Sequence, residues 1–155
     1  MARGTYEILK VYWLPTVVNQ LAPTVAEITA GKNLTTQIPV DGVEKGGSAN
    51  NASQAMLGDA FIGEEPGTWG RTLTITFMLD RALTAADNPW EIFDYRTEGF
   101  LLFSPTGAII ATTKVEVWHV KAHERLGLAS AENEYQKFTI TYAVTEAPKL
   151  DAVIT

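Results

Sequence analysis

Apolar and polar residues alternate most regularly in two stretches of the chain, RTLTITFMLD at residues 71–80 and YQKFTITYAVT at residues 135–145. The alternating apolar positions are Leu73, Ile75, Phe77 and Leu79 in the first stretch and Phe138, Ile140, Tyr142 and Val144 in the second. The threonines occupy the opposite face, where β-branched side chains suit a pleated, wetted surface. A period of two therefore predicts two strands, each with one buried face.

Less regular apolar patterns predict further strands. These are residues 5–14, which are apolar on both faces; residues 26–38, with a turn or bulge at 30–32; and residues 99–103 and 108–120, joined by a turn at 104–107. Proline and glycine in that last turn supply the backbone angles that a tight reversal needs.

One helix is indicated by the stretch DNPWEIFDYRTEG. Asn88 is a good N-cap, a proline follows at the first helical position, and Gly99 is placed to end the helix. Trp90 and Phe93 share one face of this predicted helix, at about residues 89–98, and we expect them to pack on a sheet.

Together these elements predict a mainly β fold, either an antiparallel β-sandwich or a partly closed β-barrel with one short flanking helix. The chain contains no internal repeat, and we expect one domain over residues 1–155, ending in a C-terminal tail at 147–155. Residues 41–67 are rich in Gly, Asn, Ser and acids and predict a long interstrand loop. Loops longer than roughly 12–15 residues are uncommon in small domains and usually have a function.

Composition narrows the classes of function. The chain has no cysteine, which excludes disulfides, thiolate metal sites and thiol catalysis. Its net charge of −6 disfavours ordinary nucleic-acid binding. No apolar run has the length of a signal peptide core or a membrane span, so we expect no membrane insertion.

Candidate chemistry is sparse. His119 and His123 are four residues apart, but on a predicted strand that spacing separates them by roughly 13 Å, too far for one metal. The acid pair Glu64 and Glu65 lies in polar surroundings, where carboxylates keep ordinary properties. No serine stands in a nucleophile-elbow context. We therefore expect no catalytic residue, no metal and no cofactor.

Several phrases occur in a characteristic order along the chain. These are APTVAEITAGKNLTTQI, a long polar segment ending in PGTWG, the strand RTLTITFMLD, the helix NPWEIFDYRTEG, GFLLFSPTG and KFTITYAVTEAPKLDAVIT. In this order the sequence resembles the tail tube (major tail) proteins of long-tailed, non-contractile bacteriophages, especially those that infect actinobacteria. The resemblance extends from about Pro15 to Val153.

This resemblance implies a β-sandwich-like barrel that assembles with itself into six-fold rings, which stack head to tail around a channel. Such rings are heterologous assemblies, because one surface of the subunit contacts a different surface of the next. The implied partners are the tape measure protein within the channel and the tail terminator and distal tail proteins. DNA passes through the channel without specific binding. The implied location is the virion, and the host cytoplasm during assembly.

The resemblance also assigns roles to residues. The predicted loop at 41–67 reaches the next ring or subunit, with contact residues Asp41, Glu44, Lys45, Met56, Leu57, Phe61, Ile62 and Trp69. An acidic channel repels phosphates, so that DNA slides through it. The candidate channel-facing acids are Glu7, Asp80 and Glu116.

Two other functions stay open at this point. A tail terminator or head–tail joining protein makes one ring and stops there. A small-ligand-binding β-barrel would use the four tryptophans of the chain as a pocket.

Overall fold

The computed structural model describes residues 9–39, 41–54, 56–58, 60–61, 63–79, 83–84, 87–128 and 136–155. Within these residues the elements, in chain order, are β1 Lys10–Leu14, α1 Val25–Ala30, β2 Lys32–Asn33, a 3-10 turn Thr35–Gln37, β3 Val43–Gln54, β4 Gly63–Met78, α2 Pro89–Ile92, β5 Glu98–Ser104, β6 Lys114–Leu128, β7 Lys137–Val144 and β8 Lys149–Val153. The predicted mainly β class is confirmed.

The eight strands form one antiparallel sheet in the order β2-β1-β5-β6-β7-β4-β3. β8 lies outside this order and pairs with β6. β6 pairs with β5 along one edge, and along its other edge residues 114–117 pair with β8 and residues 120–128 pair with β7. Among the described strands, the two ends of the order, β2 and β3, do not pair with each other, so the sheet stays open.

One hydrophobic core fills the inner face of this sheet. Alternation brings apolar residues of β4, β7, β6, β5 and β1 together there, and Phe93 at the end of α2 covers them. The main members are Val11, Trp13, Leu73, Ile75, Phe77, Phe93, Leu101, Phe103, Trp118, Val120, Phe138, Ile140 and Tyr142. Burial of this apolar surface is the main force that holds the sheet in its shape.

A second, smaller core lies on the outer face of β1, β5 and β6. Ile28 of α1 and the C-terminal residues Ala152 and Ile154 cover Leu14, Leu102, Val115 and Val117 there. The C-terminal segment is also fixed by its backbone, since the Val153 and Thr155 amides donate to the Leu21 and Pro23 carbonyls. The segment that we expected as a C-terminal tail, 147–155, thus contains a paired strand, β8, and buried side chains.

The predicted loop at residues 41–67 is wrong. Most of it is a β-hairpin, formed by the paired strands β3 and β4, with Val43 opposite Ile75 at one end and Gln54 opposite Gly63 at the other. The sequence pattern does not predict these strands, because their outer parts are exposed on both faces and therefore show no alternation of apolar and polar residues.

Residues 26–38 form α1, β2 and the 3-10 turn instead of one long strand. α1 begins with a capping box: the Glu27 amide donates to Thr24 Oγ1 (3.1 Å), and the Thr24 amide donates to Glu27 Oε1 (3.2 Å). These reciprocal bonds satisfy two amides of the first helical turn and stabilise the helix locally. The loose apolar alternation that predicted a strand at residues 26–38 was a weaker signal than this capping box.

The predicted helix at 89–98 is shorter than expected. Asn88 caps it as predicted, since its side chain accepts from the Trp90 amide, but the helix ends at Ile92. Gly99 does not end a helix; it lies in β5, where it faces the ring of Trp13.

The other strand bounds shift as well. β6 begins at Lys114 and not at 108, and it runs on to Leu128, whereas β5 matches its predicted position. The turn at 104–107 exists, with the Gly107 amide donating to the Ser104 carbonyl and Gly107 at φ 74°. Of the predicted strand at 5–14, residues 10–14 form β1, and residues 5–8 lie outside the described residues.

Candidate assembly surface

The outer part of the β3–β4 hairpin is a two-stranded ribbon with both faces in solvent. All residues of 48–53 and 64–69 whose side chains the structure describes are exposed. At about 3.4 Å per residue, seven residues of β3 from Ser48 to Gln54 extend the ribbon by roughly 20 Å. A lone two-stranded hairpin is at best marginally stable in water, so this ribbon is suited to being covered by another surface.

A β-bulge bends the ribbon between Ala49 and Asn51. Gly67 lies opposite the bulge, and a Cβ atom there would come within 2.4 Å of the Asn50 carbonyl oxygen. Glycine is therefore required at this close approach of the two backbones. Bulges increase local twist, so the hairpin leaves the body of the sheet at a set angle.

Large apolar side chains are exposed at the tip of the hairpin, which we define as residues 56–61. Phe61 is 84% exposed, Met56 is 77% exposed, and Leu57 is fully in solvent. Ile62, which was predicted to belong with them, lies outside the described residues. Grouped exposed apolar side chains of this size are typical of contact surfaces.

The base of the hairpin carries two ordered contacts. On one strand Trp69, 56% exposed, stacks under the Arg71 guanidinium, whose central carbon is 5.3 Å from the ring centroid. On the other strand Lys45 Nζ lies 2.6 Å from Glu116 Oε2 and 4.1 Å from the centroid of the Phe103 ring. Lys45 and Glu116 were predicted to belong to separate surfaces, and the structure pairs them with each other.

A cleft of about 480 Å³ opens near the other end of β4. It lies between α2 and the paired ends of β6 and β7, with lining residues Leu79, Leu83, Asn88, Trp90, Glu91, Gly127, Lys137 and Phe138. Trp90 contacts Phe138 edge-on, with ring centroids 5.1 Å apart, and Phe93 contacts Phe77 at 5.7 Å. Sequence reasoning placed Trp90 and Phe93 at the helix–sheet contact, but it did not find the cleft.

A polar cluster around His119 was also missed. His119 Nδ1 lies 2.8 Å from Glu146 Oε1, and Nε2 lies 2.9 Å from Glu98 Oε1. Its ring stacks on Phe100 with centroids 4.7 Å apart. The hydrogen bond from His119, followed by one from Gln20, holds the pKa of Glu146 below its ordinary value. The cluster ties β5 and β6 to the bend between β7 and β8.

The remaining predicted residues are dispersed. Asp41, just before β3, and Glu44, on β3, are exposed at the end of the hairpin farthest from its tip, where Glu44 pairs with Thr74 of β4. Glu7 and Asp80, predicted to face a channel, lie outside the described residues. The structure thus groups the tip residues and the base residues, and it leaves the channel-facing assignments as predictions.

Two features of the described part of the chain bear on other functions. No group of three or more His, Asp or Glu residues there has an arrangement that could hold a metal ion. Neither described helix, of six and four residues, has the length of a membrane span.

An exposed β-ribbon with an apolar tip, attached to a packed sheet, is typical of a protein that functions in contact with other chains. Comparison with protein families identifies the family: the family model described as phage tail tube protein matches residues 2–155. The chain belongs to this family, and it is therefore a structural component of the phage tail. The predicted resemblance to phage tail tube proteins is confirmed.

A comparison with solved structures agrees on the fold. The chain is similar to one in a structure described as the virion of a native gene transfer agent particle, with a TM-score of 0.53 and 11% sequence identity. The similarity covers 94% of this chain and 97% of that chain. Comparison with curated proteins gives no match.

Proposed function

We propose that this chain is the tail tube subunit of a long-tailed, non-contractile phage and that it assembles into six-fold rings stacked head to tail. The rings enclose a channel that holds the tape measure protein during assembly and conducts the genome at infection. Membership of the tail tube family supports this proposal, and one structural observation carries it: the exposed hairpin.

The hairpin supports self-assembly for two physical reasons. Its outer ribbon buries neither face in the subunit, so it gains most of its stability only when another chain covers it. The outer edge of β3 also has no partner strand among the described residues, and free edges of this length pair readily with other chains. Both features favour a polymer over an isolated subunit.

The charge balance supports a channel that DNA crosses without binding. A net charge of −6 on each subunit gives the assembly a strongly negative field, which repels phosphates. Glu116 adds little to this field because Lys45 compensates its charge within the subunit. In our proposal Glu7 and Asp80 remain the channel-facing acids, the ends of the tube contact the tail terminator and distal tail proteins, and assembly takes place in the host cytoplasm.

Electron microscopy of the purified protein tests the proposal. We expect tubes from the wild-type chain, alone or with the tape measure protein, at high concentration. A variant in which an Asn-Gly turn replaces residues 49–69 keeps the buried part of β4 and joins Ser48 to Gly70, which are opposite each other. It should fold, as measured by circular dichroism, and form no tubes.

A matched control replaces an exposed leucine elsewhere, Leu150→Ser on β8, and should leave tube formation intact. Monomers of the wild-type chain under every condition would overturn the proposal. Rings that never stack would favour the tail terminator or joining-ring function instead.

A further inference from the structure

We propose that the hairpin tip of one subunit binds in the cleft between α2 and the β6–β7 pair of the next copy of the same chain. This inference rests on the proposed function, because it names the two surfaces that meet when subunits stack. The tip is residues 56–61, and the cleft is the one lined by Trp90, Phe138 and Lys137.

The first argument is the placement of the two surfaces. β4 starts at Gly63, beside the tip, and ends at Met78, beside the cleft residue Leu79. Its 16 residues extend roughly 50 Å at about 3.3 Å per residue. The tip and the cleft of one subunit are thus at opposite ends of the molecule and cannot meet each other. Two different surfaces at opposite ends make a heterologous, head-to-tail contact, which can repeat from one subunit to the next along a stack.

The second argument is the match of apolar surface and size. The tip presents Leu57 and Phe61 to solvent. The cleft offers the partly exposed Leu79, Leu83 and Trp90, and its volume of about 480 Å³ lies within the roughly 300–1,000 Å³ of sites that enclose a compact ligand. One or two large apolar side chains fill such a space. Burial of an aromatic anchor in a pocket is the usual source of affinity at protein interfaces.

The third argument is charge. Glu64 and Glu65 follow the tip on β4, and neither makes an ion pair with another described residue. Lys137 at the cleft has no ion-pair partner there either. The residues that line the cleft include one acid, Glu91 on α2, and one base, Lys137 on β7. The approach of the tip therefore brings two carboxylates that form no ion pair among the described residues to the strand that carries Lys137, which favours this orientation over its reverse.

Site-directed cross-linking tests the contact directly, because the natural chain has no cysteine. Ala60→Cys places a thiol at the tip without removing Leu57 or Phe61, and Gly127→Cys places one at the cleft, where a Cβ atom meets no other atom within 4 Å. Tubes of the double variant, treated with a short bis-maleimide, should give a ladder of covalent oligomers on a denaturing gel. A control pairs Ala60→Cys with Thr106→Cys, an exposed site in the turn after β5, and should give no ladder.

Charge exchange gives a second measurement. Lys137→Glu should raise the protein concentration at which tubes appear by about tenfold or more, and adding Glu65→Lys to that variant should reverse most of the rise. Circular dichroism confirms that each variant folds. Tubes that form normally but yield no ladder, or a Lys137→Glu variant that assembles as readily as the wild type, would overturn this inference while leaving the proposed function in place. Absence of tubes from the wild-type chain would overturn the proposed function itself.

Discussion

Lys45 Nζ lies 2.6 Å from Glu116 Oε2, although 71 residues separate the two in sequence and two strands separate β3 from β6 in the sheet. The pair shows that the sheet rolls far enough for β3 to approach β6 across the inner core. Lys45 also lies over the ring of Phe103 and within 5.7 Å of the Trp118 ring centroid. The contact covers one end of the core.

We expect Lys45 and Glu116 to couple in a double-mutant cycle of Lys45→Met and Glu116→Gln. Both side chains are about a quarter to a third exposed, so the coupling should be about 1 kcal/mol in the free energy of unfolding. Urea denaturation of the four proteins measures it. Glu44→Gln combined with Lys45→Met is the matched control, because Glu44 points to the other face of β3, and that pair should show no coupling.

Gly99→Ala should destabilise the fold by about 1–3 kcal/mol, the usual cost of overpacking a core. A Cβ atom at Gly99 would lie 2.6 Å from two carbons of the Trp13 ring, which is itself held edge-on against Phe93 at 4.7 Å. Thermal or urea denaturation measures the effect. Gly127→Ala, also in a strand but with open space around it, should change stability little; equal effects at both positions would contradict this account.

His119→Phe should raise the pKa of Glu146 toward its ordinary value of 4.5, because the hydrogen bond from His119 is the largest cause of its depression. Phenylalanine keeps a flat ring against Phe100 and removes only the polar contacts. NMR titration of the glutamate carboxyl carbons gives the measurement. Lys149→Gln is the control, since Lys149 is the smallest contributor to the depressed pKa, and it should produce a smaller shift.

The sign of the pH effect follows from this depressed pKa. The folded protein binds the Glu146 proton less tightly than the unfolded chain does. The stabilisation that the ionised Glu146 side chain contributes is therefore complete above pH 4.5 and is lost as the pH falls through the pKa of the folded state. In the His119→Phe variant this loss on acidification should be weaker. An unchanged Glu146 titration would show that the contact to His119 does not persist in solution.

Tyr142→Phe should stabilise the protein by about 1 kcal/mol. The Tyr142 hydroxyl is buried in the inner core without a hydrogen-bond partner among the described residues, and an unsatisfied buried polar group costs about 1–3 kcal/mol. The ring contact with Phe93, at 5.4 Å, remains in the variant. Tyr95→Phe, at an exposed tyrosine, is the control and should be within about 0.5 kcal/mol of the wild type.

Alkaline unfolding offers a second test of the same residue. Burial raises the pKa of Tyr142 well above its ordinary value of 10.0. With respect to this group, the free energy of unfolding is therefore constant below pH 10.0 and falls as the pH rises from there toward the pKa of the folded state, because the unfolded chain ionises first. Stability of the Tyr142→Phe variant should fall less steeply in this range; identical slopes would contradict burial of the hydroxyl.

The sequence predicts a strand of this fold reliably only where the strand has one buried face and one exposed face. The inner half of β4 and the whole of β7 were predictable, because Phe77 and Phe138 stand in alternating patterns that only a half-buried strand imposes. β3 and the outer half of β4 were not, because a ribbon exposed on both faces leaves no periodic trace. The helix α1 was readable in principle from Thr24 and Glu27, whose spacing gives a capping box.

The candidate surface was predictable only in part. Leu57 and Phe61 stand out as apolar residues in a polar segment, so the sequence marks the tip. The cleft, the pairing of Lys45 with Glu116 and the cluster around His119 each combine residues from distant strands. Their proximity depends on register and on the rolling of the sheet, which no local pattern encodes.

In the proposed tube, the bulged, doubly exposed hairpin would also have a consequence for the kinetics of growth. In a free subunit its outer hydrogen bonds open at low cost, whereas those beside the inner core open only with the whole fold. Each added subunit must give up the conformational entropy of this ribbon before it gains contacts. The first few subunits to associate form few contacts that compensate for this loss of entropy, whereas later subunits bind to the complete end of an existing polymer. Elongation is then fast and initiation slow, so that a pre-formed starting structure determines where and when each polymer begins.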